Sequence, residues 1–220
     1  MLHAEPIVKI TSMPIHITEF QIGYFVDTSG KMSFAEVQKE KFTVGNNRLS
    51  LGMDSDVTWV KIILHNETNS SQKLFIHNAS AYHAAAIHFY ELEDNTLVNN
   101  IRFEPVNKLN TDKMDGAEAV YTLDLRPGQS KTVYMQSHFL AYQLFDLSIF
   151  DEKYSKEDLV GKYMPIVILF SILFTLAFYY FILFLSSQHM EYLYYSLYLI
   201  SSSVFIAYSY GMLSHYFHVY

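Results

Sequence analysis

The stretch Val57-Thr58-Trp59-Val60-Lys61-Ile62-Ile63-Leu64 decides the fold. In an extended chain Val60, Ile62 and Leu64 fall on one side and make it wholly apolar, while Trp59, Lys61 and Ile63 share the other. Such period-two alternation marks a half-buried strand and not a helix. The pattern recurs in both directions, at Ile15-His16-Ile17 leading toward Phe20 and Tyr24, and at residues 73–77, 85–92, 96–98, 119–125, 131–137 and 143–150. About eight strands with turn signals between them describe an all-β sandwich, and roughly 150 residues suffice for its core. Arg126-Pro127-Gly128-Gln129 reads as a type II turn, because proline presets φ at its second position and glycine accepts positive φ at its third. One short helix is expected at residues 33–40, with Ser33 as its cap and Glu36 at the third position of a capping box. No repeat of 20–50 residues stands out.

Charge divides the chain. Of the 15 Lys+Arg and 22 Asp+Glu, only Lys162 and Glu191 fall within residues 162–220, so the net charge of −7 sits entirely before them. A tail that poor in charge cannot cover a water-facing surface, so it belongs in lipid or inside a large partner. Residues 163–185 are uncharged, and a helix of that length spans about 34 Å, enough to cross a bilayer. Pro165 reads as a mark of its first turn. Ser171 and Thr175 share one face and are expected to bond to their own helix backbone. Beyond a connector at residues 186–191, a second span is expected at 192–215, with tyrosines at both ends as interfacial belts. The result is an α-helical transmembrane hairpin joined to the sandwich, residues 1–155, by a stalk at 156–162. Both spans carry Ser, Thr and Tyr faces, and the chain stops at His218-Val219-Tyr220, which reads as the end of a fragment of a larger bundle.

Three ordered stretches carry a resemblance. They are residues 23–37 (GYFVDTSGKMSFAEV), Leu51-Gly52 followed by residues 59–66 (WVKIILHN), and residues 125–130 (LRPGQS). Joined to residues 191–199 (EYLYYSLYL) and Tyr210-Gly211, they resemble the bacterial seven-transmembrane receptors with diverse intracellular signalling modules (7TMR-DISM). The resemblance implies a periplasmic jelly-roll sensor, similar to carbohydrate-binding modules, at residues 1 to about 155, anchored in the inner membrane. The family's output modules, a histidine kinase or a diguanylate cyclase, have no counterpart in these residues. Charge alone points weakly the other way, since Lys153, Lys156 and Lys162 precede the first span. Leu2-His3-Ala4 reads as the end of a signal peptide, and with the resemblance it sets residues 1–155 in the periplasm.

Chemistry-bearing residues are sparse. Zero cysteine excludes a disulfide scaffold and a thiol nucleophile, and the acidic balance argues against nucleic acid. Neither a phosphate-binding glycine loop nor a nucleophile elbow is present, so no enzyme is expected. The ten histidines include His77, His83 and His88, at spacings that do not place two imidazoles on one face, and His215 with His218 near the chain end. Carboxylates cluster at Asp54 and Asp56, at Glu91, Glu93 and Asp94, and at Asp112, Asp115 and Glu118; the last set is the candidate calcium site, unless all are merely solvated loop groups. Trp59, the single tryptophan, is either a stacking platform for a sugar ring or a core plug. Lys61, Asn66, Arg102 and Gln136, with His65, are the candidate polar contacts around such a ring. The expected function is a membrane-anchored receptor sensing a small molecule or saccharide; a non-enzymatic envelope protein that docks a protein partner is the alternative, and either admits a homodimer.

Overall fold

The computed structural model describes residues 5–53, 57–79, 81, 84–104, 114–115, 118–139 and 143–210. Two units divide the chain, Met1–Ser155 and Lys156–Val219. The first is a sandwich of β1 (Ile7–Ile10), β2 (His16–Ile17), β3 (Gln21–Asp27), β4 (Thr43–Asn46), β5 (Arg48–Gly52), β6 (Val57–Asn66), β7 (Gln72–Asn78), β8 (Ala84–Glu93), β9 (Thr96–Phe103), β10 (Met114–Asp115), β11 (Glu118–Leu125), β12 (Ser130–Phe139) and β13 (Gln143–Phe150). A single helical turn, α1 (Phe34–Val37), lies between β3 and β4.

One sheet runs β4-β3-β6-β12-β8-β9, with β1 also on β6; the other runs β10-β11-β7-β13-β2, with β5 also on β13. All pairings are antiparallel except β1 with β6, which is parallel and takes over at Ile63, just past the last β3 pair at Lys61. The opening stretch behaves as its alternation requires. Val60, Ile62 and Leu64 are buried in the core between the sheets, with Phe89 and Met135 of their own sheet and Leu74, Ile76, Leu123, Phe145 and Leu147 of the other. Phe89 stacks on Tyr121 across the gap, with centroids 4.8 Å apart and an interplanar angle of 11°. Turn chemistry holds the register. Gly128 has φ +71 and Gln129 N–H donates to the Arg126 carbonyl at 3.1 Å, the expected type II turn. Asp94 and Asn95, with φ of 48 and 63, turn β8 into β9 as a two-residue hairpin whose twist matches the strands.

Two helices follow, α2 (Glu152–Ser187) and α3 (Met190–Ser209). Here the expected boundaries shift. Asp151 caps α2 by accepting the Tyr154 N–H at 2.9 Å, so the stalk residues 156–162 are its helical beginning and Pro165 lies inside it. Only Gln188 and His189 separate the helices, and Gln188 makes the reversal with φ 56. Ser171 and Thr175 donate to the carbonyls of Val167 and Ser171, each at 2.8 Å, within their own helix. Small residues seat one helix on the other: Ser196 donates to the Ala177 carbonyl at 2.9 Å, and Ala177, Ser196, Ser203 and Ala207 are all buried. Among the described residues α2 alone is long and apolar enough to cross a membrane; serines and tyrosines lower the hydropathy of α3. The readings placed on Leu2-His3-Ala4, Asp54, Asp56, His83, His215 and His218, and the C-terminal part of the second span, lie outside the described residues.

Candidate functional site

The outer face of the larger sheet carries the side chains that the inner face rejects. Antiparallel register sets Phe25 of β3, Trp59 of β6, Gln136 of β12, His88 of β8 and Arg102 of β9 opposite one another in a single rung across five strands. Cross-strand neighbours in such a rung share a face at about 5 Å spacing. The next rung places Gly23, Lys61, Tyr134, Tyr90 and Asn100 on the same face. Sequence separation hides this arrangement, since Trp59 and Gln136 meet only once β6 and β12 pair.

Half of the face is roofed. Trp59, at 0% exposure, packs with Val37 and Val57 in a small second cluster, together with Phe25, Met32, Phe34, Phe42 and Tyr90. It is buried, but outside the inter-sheet core and beneath α1. Phe34 lies parallel to Tyr90, with centroids 4.3 Å apart at 3°, stacks on Trp59 at 6.2 Å and meets Tyr134 edge-on at 5.4 Å. The Trp59 indole N–H is buried and has no hydrogen-bond partner among the described residues. Beyond the roof the rung opens. His88 lies 4.1 Å from the Tyr90 ring, and Gln136 and His88 are half-buried. Arg102 is exposed and paired with Glu104. Burial first, and then the neighbouring Arg102 and His138, hold the His88 imidazole below its ordinary pKa, favouring the neutral ring. Burial pushes the Tyr90 and Tyr134 hydroxyls up, keeping both protonated. Lys61 completes the edge: its ammonium donates to both carboxylate oxygens of Glu5 at 2.6 Å and sits 5.6 Å from the Tyr134 ring centroid.

The roof is tied down locally. The Asp27 carboxylate accepts from the Ser29 N–H and hydroxyl, the Gly30 N–H and the Met32 N–H at 2.6–3.0 Å. Burial would raise its pKa, but these donors together outweigh burial and hold the group below its ordinary value. Glu36 reaches back to the Ser33 N–H and hydroxyl, each at 2.7 Å, as the capping-box spacing predicts.

Four of the five residues suggested as ligand contacts, Trp59, Lys61, Gln136 and Arg102, therefore share one face in two adjacent rungs. Asn66 does not join them. Its amide donates to the Ser70 and Leu125 carbonyls at 2.9 and 3.1 Å and its oxygen accepts from Thr68, so it braces the turns at the end of β6. Of the carboxylates suggested for calcium, Asp112 lies outside the described residues, and Asp115 pairs with Glu118 across the β10–β11 hairpin. Glu118 is buried at 4% exposure, with its carboxylate 3.1 Å from His77 Nδ1. His77 Nε2 in turn lies 2.8 Å from the Ser155 hydroxyl in the first turn of α2. Sequence reasoning missed Phe34, Tyr90 and His88 as site residues, although alternation along β8 sets Tyr90 and His88 outward.

The family model of the 7TMR-DISM extracellular 2 domain matches residues 20–151. The chain belongs to this family. That match covers the sandwich from β3 to β13 and describes an extracellular domain, not a catalytic one. No curated protein matches the chain. Among solved structures, a β-glucosidase from Kluyveromyces marxianus in complex with glucose is 12% identical at TM-score 0.34, over 70% of this chain and 18% of its own length. A family 35 carbohydrate binding module from Clostridium thermocellum is 12% identical at TM-score 0.30, over 64% of this chain and 99% of its own. One from Paenibacillus barcinonensis is 8% identical at TM-score 0.29, over 62% and 96%. The 7TMR-DISM extracellular domain is here followed by a helix long and apolar enough to cross a membrane, an order that fits a membrane protein.

Proposed function

We propose that this 7TMR-DISM chain is the sensing part of a bacterial inner-membrane receptor, with residues 1 to about 155 in the periplasm and a saccharide-class ligand taken up on the outer face of the larger sheet. The supporting observation is the rung of Gln136, His88 and Arg102, a row of hydrogen-bonding groups beside the half-buried Tyr90 ring, with Trp59 of the same rung under the roof. Sugars offer an apolar ring face and a rim of hydroxyls, which is the complement of that arrangement. The sandwich also holds the beginning of the helix. Asp151 accepts the Ile15 N–H at 2.9 Å as well as the Tyr154 N–H, and the Glu118–His77–Ser155 chain fastens the first turn of α2 to β7 and β11. A ligand that prefers one arrangement of the strands would thereby bias the helix. Calorimetric titration of the full chain in detergent micelles against a panel of mono- and oligosaccharides tests the reading. Binding abolished by Gln136→Ala with Arg102→Ala supports it; saturable binding indifferent to both changes would sink it.

A second reading rests on β9. This edge strand exposes Leu97 and Val98 at 44% and 49%, and residues 96–101 contain neither Lys nor Pro to protect the edge. It suits strand addition by an envelope protein. Cross-linking from a photoreactive residue at Val98 in intact cells separates this from ligand sensing.

A further inference from the structure

We propose that Phe34 is a displaceable plug: α1 lifts, and a pyranose ring takes the place of the Phe34 ring on Tyr90 and Trp59, with one of its oxygens accepting the Trp59 indole N–H. The proposal rests on the outer face being the ligand surface, and it adds how that surface opens and which group it satisfies.

Three observations carry it. First, the Phe34 ring occupies a platform. It lies flat on Tyr90 at 4.3 Å and 3°, and it is only partly buried. Second, the roof is attached to the sheet by apolar side chains among the described residues. The backbone hydrogen bonds donated by residues 29–40 return to the segment itself or to Asp27: Gly30 to Asp27, Met32 to the Asp27 carboxylate, Ser33 to Glu36, Val37 to Ser33, Gln38 to Phe34 and Glu40 to Val37. Apolar contact has no directional bond to break, so the turn and α1 can move as one piece about Asp27. Third, the closed state leaves a polar group unsatisfied. Trp59 Nε1 is buried without a partner among the described residues, and a buried donor in that condition is a standing cost that a hydroxyl-bearing ligand relieves. Val37, at 0% exposure, is the matching cost of opening, since it leaves its contacts with Val57 and Trp59. A ring seated where Phe34 lies also meets the polar groups of the same face, His88 and Gln136, in the rung that contains Trp59.

The test uses the full chain in detergent micelles, with methyl glycosides of glucose, galactose, mannose and N-acetylglucosamine as probes. Hydrogen exchange on the unchanged protein is read first. The proposal expects amides of residues 33–40 to exchange at least about a hundredfold faster than those of β6 and β12, through local opening. It expects Phe34→Ala to bind a glycoside about tenfold more tightly than the parent chain, because the closed, incompetent fraction is lost. It also expects bound glycoside to shield Trp59, the sole tryptophan, from acrylamide in that variant. Exchange in α1 as slow as in β6 overturns the proposal without any variant. Glycoside binding that depends on Gln136 and Arg102 but is unchanged or weakened in Phe34→Ala overturns the plug and leaves the ligand surface standing. Binding indifferent to Gln136 and Arg102 overturns the ligand surface itself, and binding to neither protein overturns both.

Discussion

The two faces of the larger sheet are made by the same strands and answer to different physics. Inward, Val60, Ile62, Leu64, Phe89 and Met135 interlock with a second sheet and reach 0–1% exposure. Outward, one residue along on each strand, Trp59 lies under a roof of one helical turn, and His88 and Gln136 set polar groups beyond it. The inner face gains from close packing that any loss of volume damages. The outer face keeps hydrogen-bonding groups near an aromatic surface, the arrangement proposed above to take a ligand.

The largest break comes from the inner face. Phe89→Ala removes a fully buried ring from between Phe103 and Tyr121, and is expected to cost about 4 kcal/mol. Urea unfolding of the sandwich, followed by near-ultraviolet circular dichroism, measures it. Next is the polar bridge within that core. The Tyr121 hydroxyl donates to Glu91 at 2.6 Å and Lys131 donates to the same carboxylate at 2.7 Å. Burial, and then the Glu91 carboxylate, push the Tyr121 hydroxyl far up, so it stays a donor. Glu91→Ala strands a buried ammonium and is expected to cost about 3 kcal/mol, whereas Tyr121→Phe should cost only about 1 kcal/mol. Equal losses from the two changes would show that the ion pair is not what holds this end of the core.

Much of this division is legible in the order of residues alone. The alternation Val60-Lys61-Ile62-Ile63-Leu64 assigns Trp59 to the less apolar side of β6, and Ser33 with Glu36 locates α1. What alternation cannot supply is register. Trp59, Gln136, His88 and Arg102 share a rung because four strands far apart in sequence pair in one particular alignment. Nor can it show that the roof over Trp59 is Phe34, since that contact joins separate elements. Asn66 misleads for a related reason: a strand-end asparagine near Trp59 in sequence is near turns in space. The start of α2 is hidden because the charged residues 156–162 read as a stalk, while Asp151 starts the helix ahead of them.

A smaller effect belongs to the roof, and it depends on pH. The Asp27 carboxyl titrates below its ordinary value in the folded chain, so its hydrogen bonds stabilise the turn fully above the ordinary carboxylate range. That stabilisation is lost as pH falls through the lower folded value. Glu36, held low by the Ser33 hydroxyl and N–H, moves in the same sense. Acidification below about pH 4 is therefore expected to expose Trp59 to acrylamide before the inner core melts, and Asp27→Asn should flatten the pH dependence of that quenching. If quenching and core unfolding coincide at every pH, the roof has no independent stability and the contrast between the faces fails there.

The smallest stability effect should come from Arg102, one of the residues proposed to contact a ligand. Arg102 lies at the open end of the rung with its side chain 51% exposed, and its pairing with Glu104 is open to water on the arginine side. Exposed pairs contribute little because water screens them and both side chains lose freedom. Arg102→Ala is therefore expected to change unfolding free energy by less than about 0.5 kcal/mol, a difference that urea titration barely resolves. A guanidinium beside a neutral imidazole and a carboxamide nevertheless offers several aligned donors to a ligand, so the same change should weaken glycoside binding by about tenfold. A variant that loses stability and keeps binding would reverse the assignment of the two faces; one that keeps stability and loses binding separates them more sharply than any change in the core can.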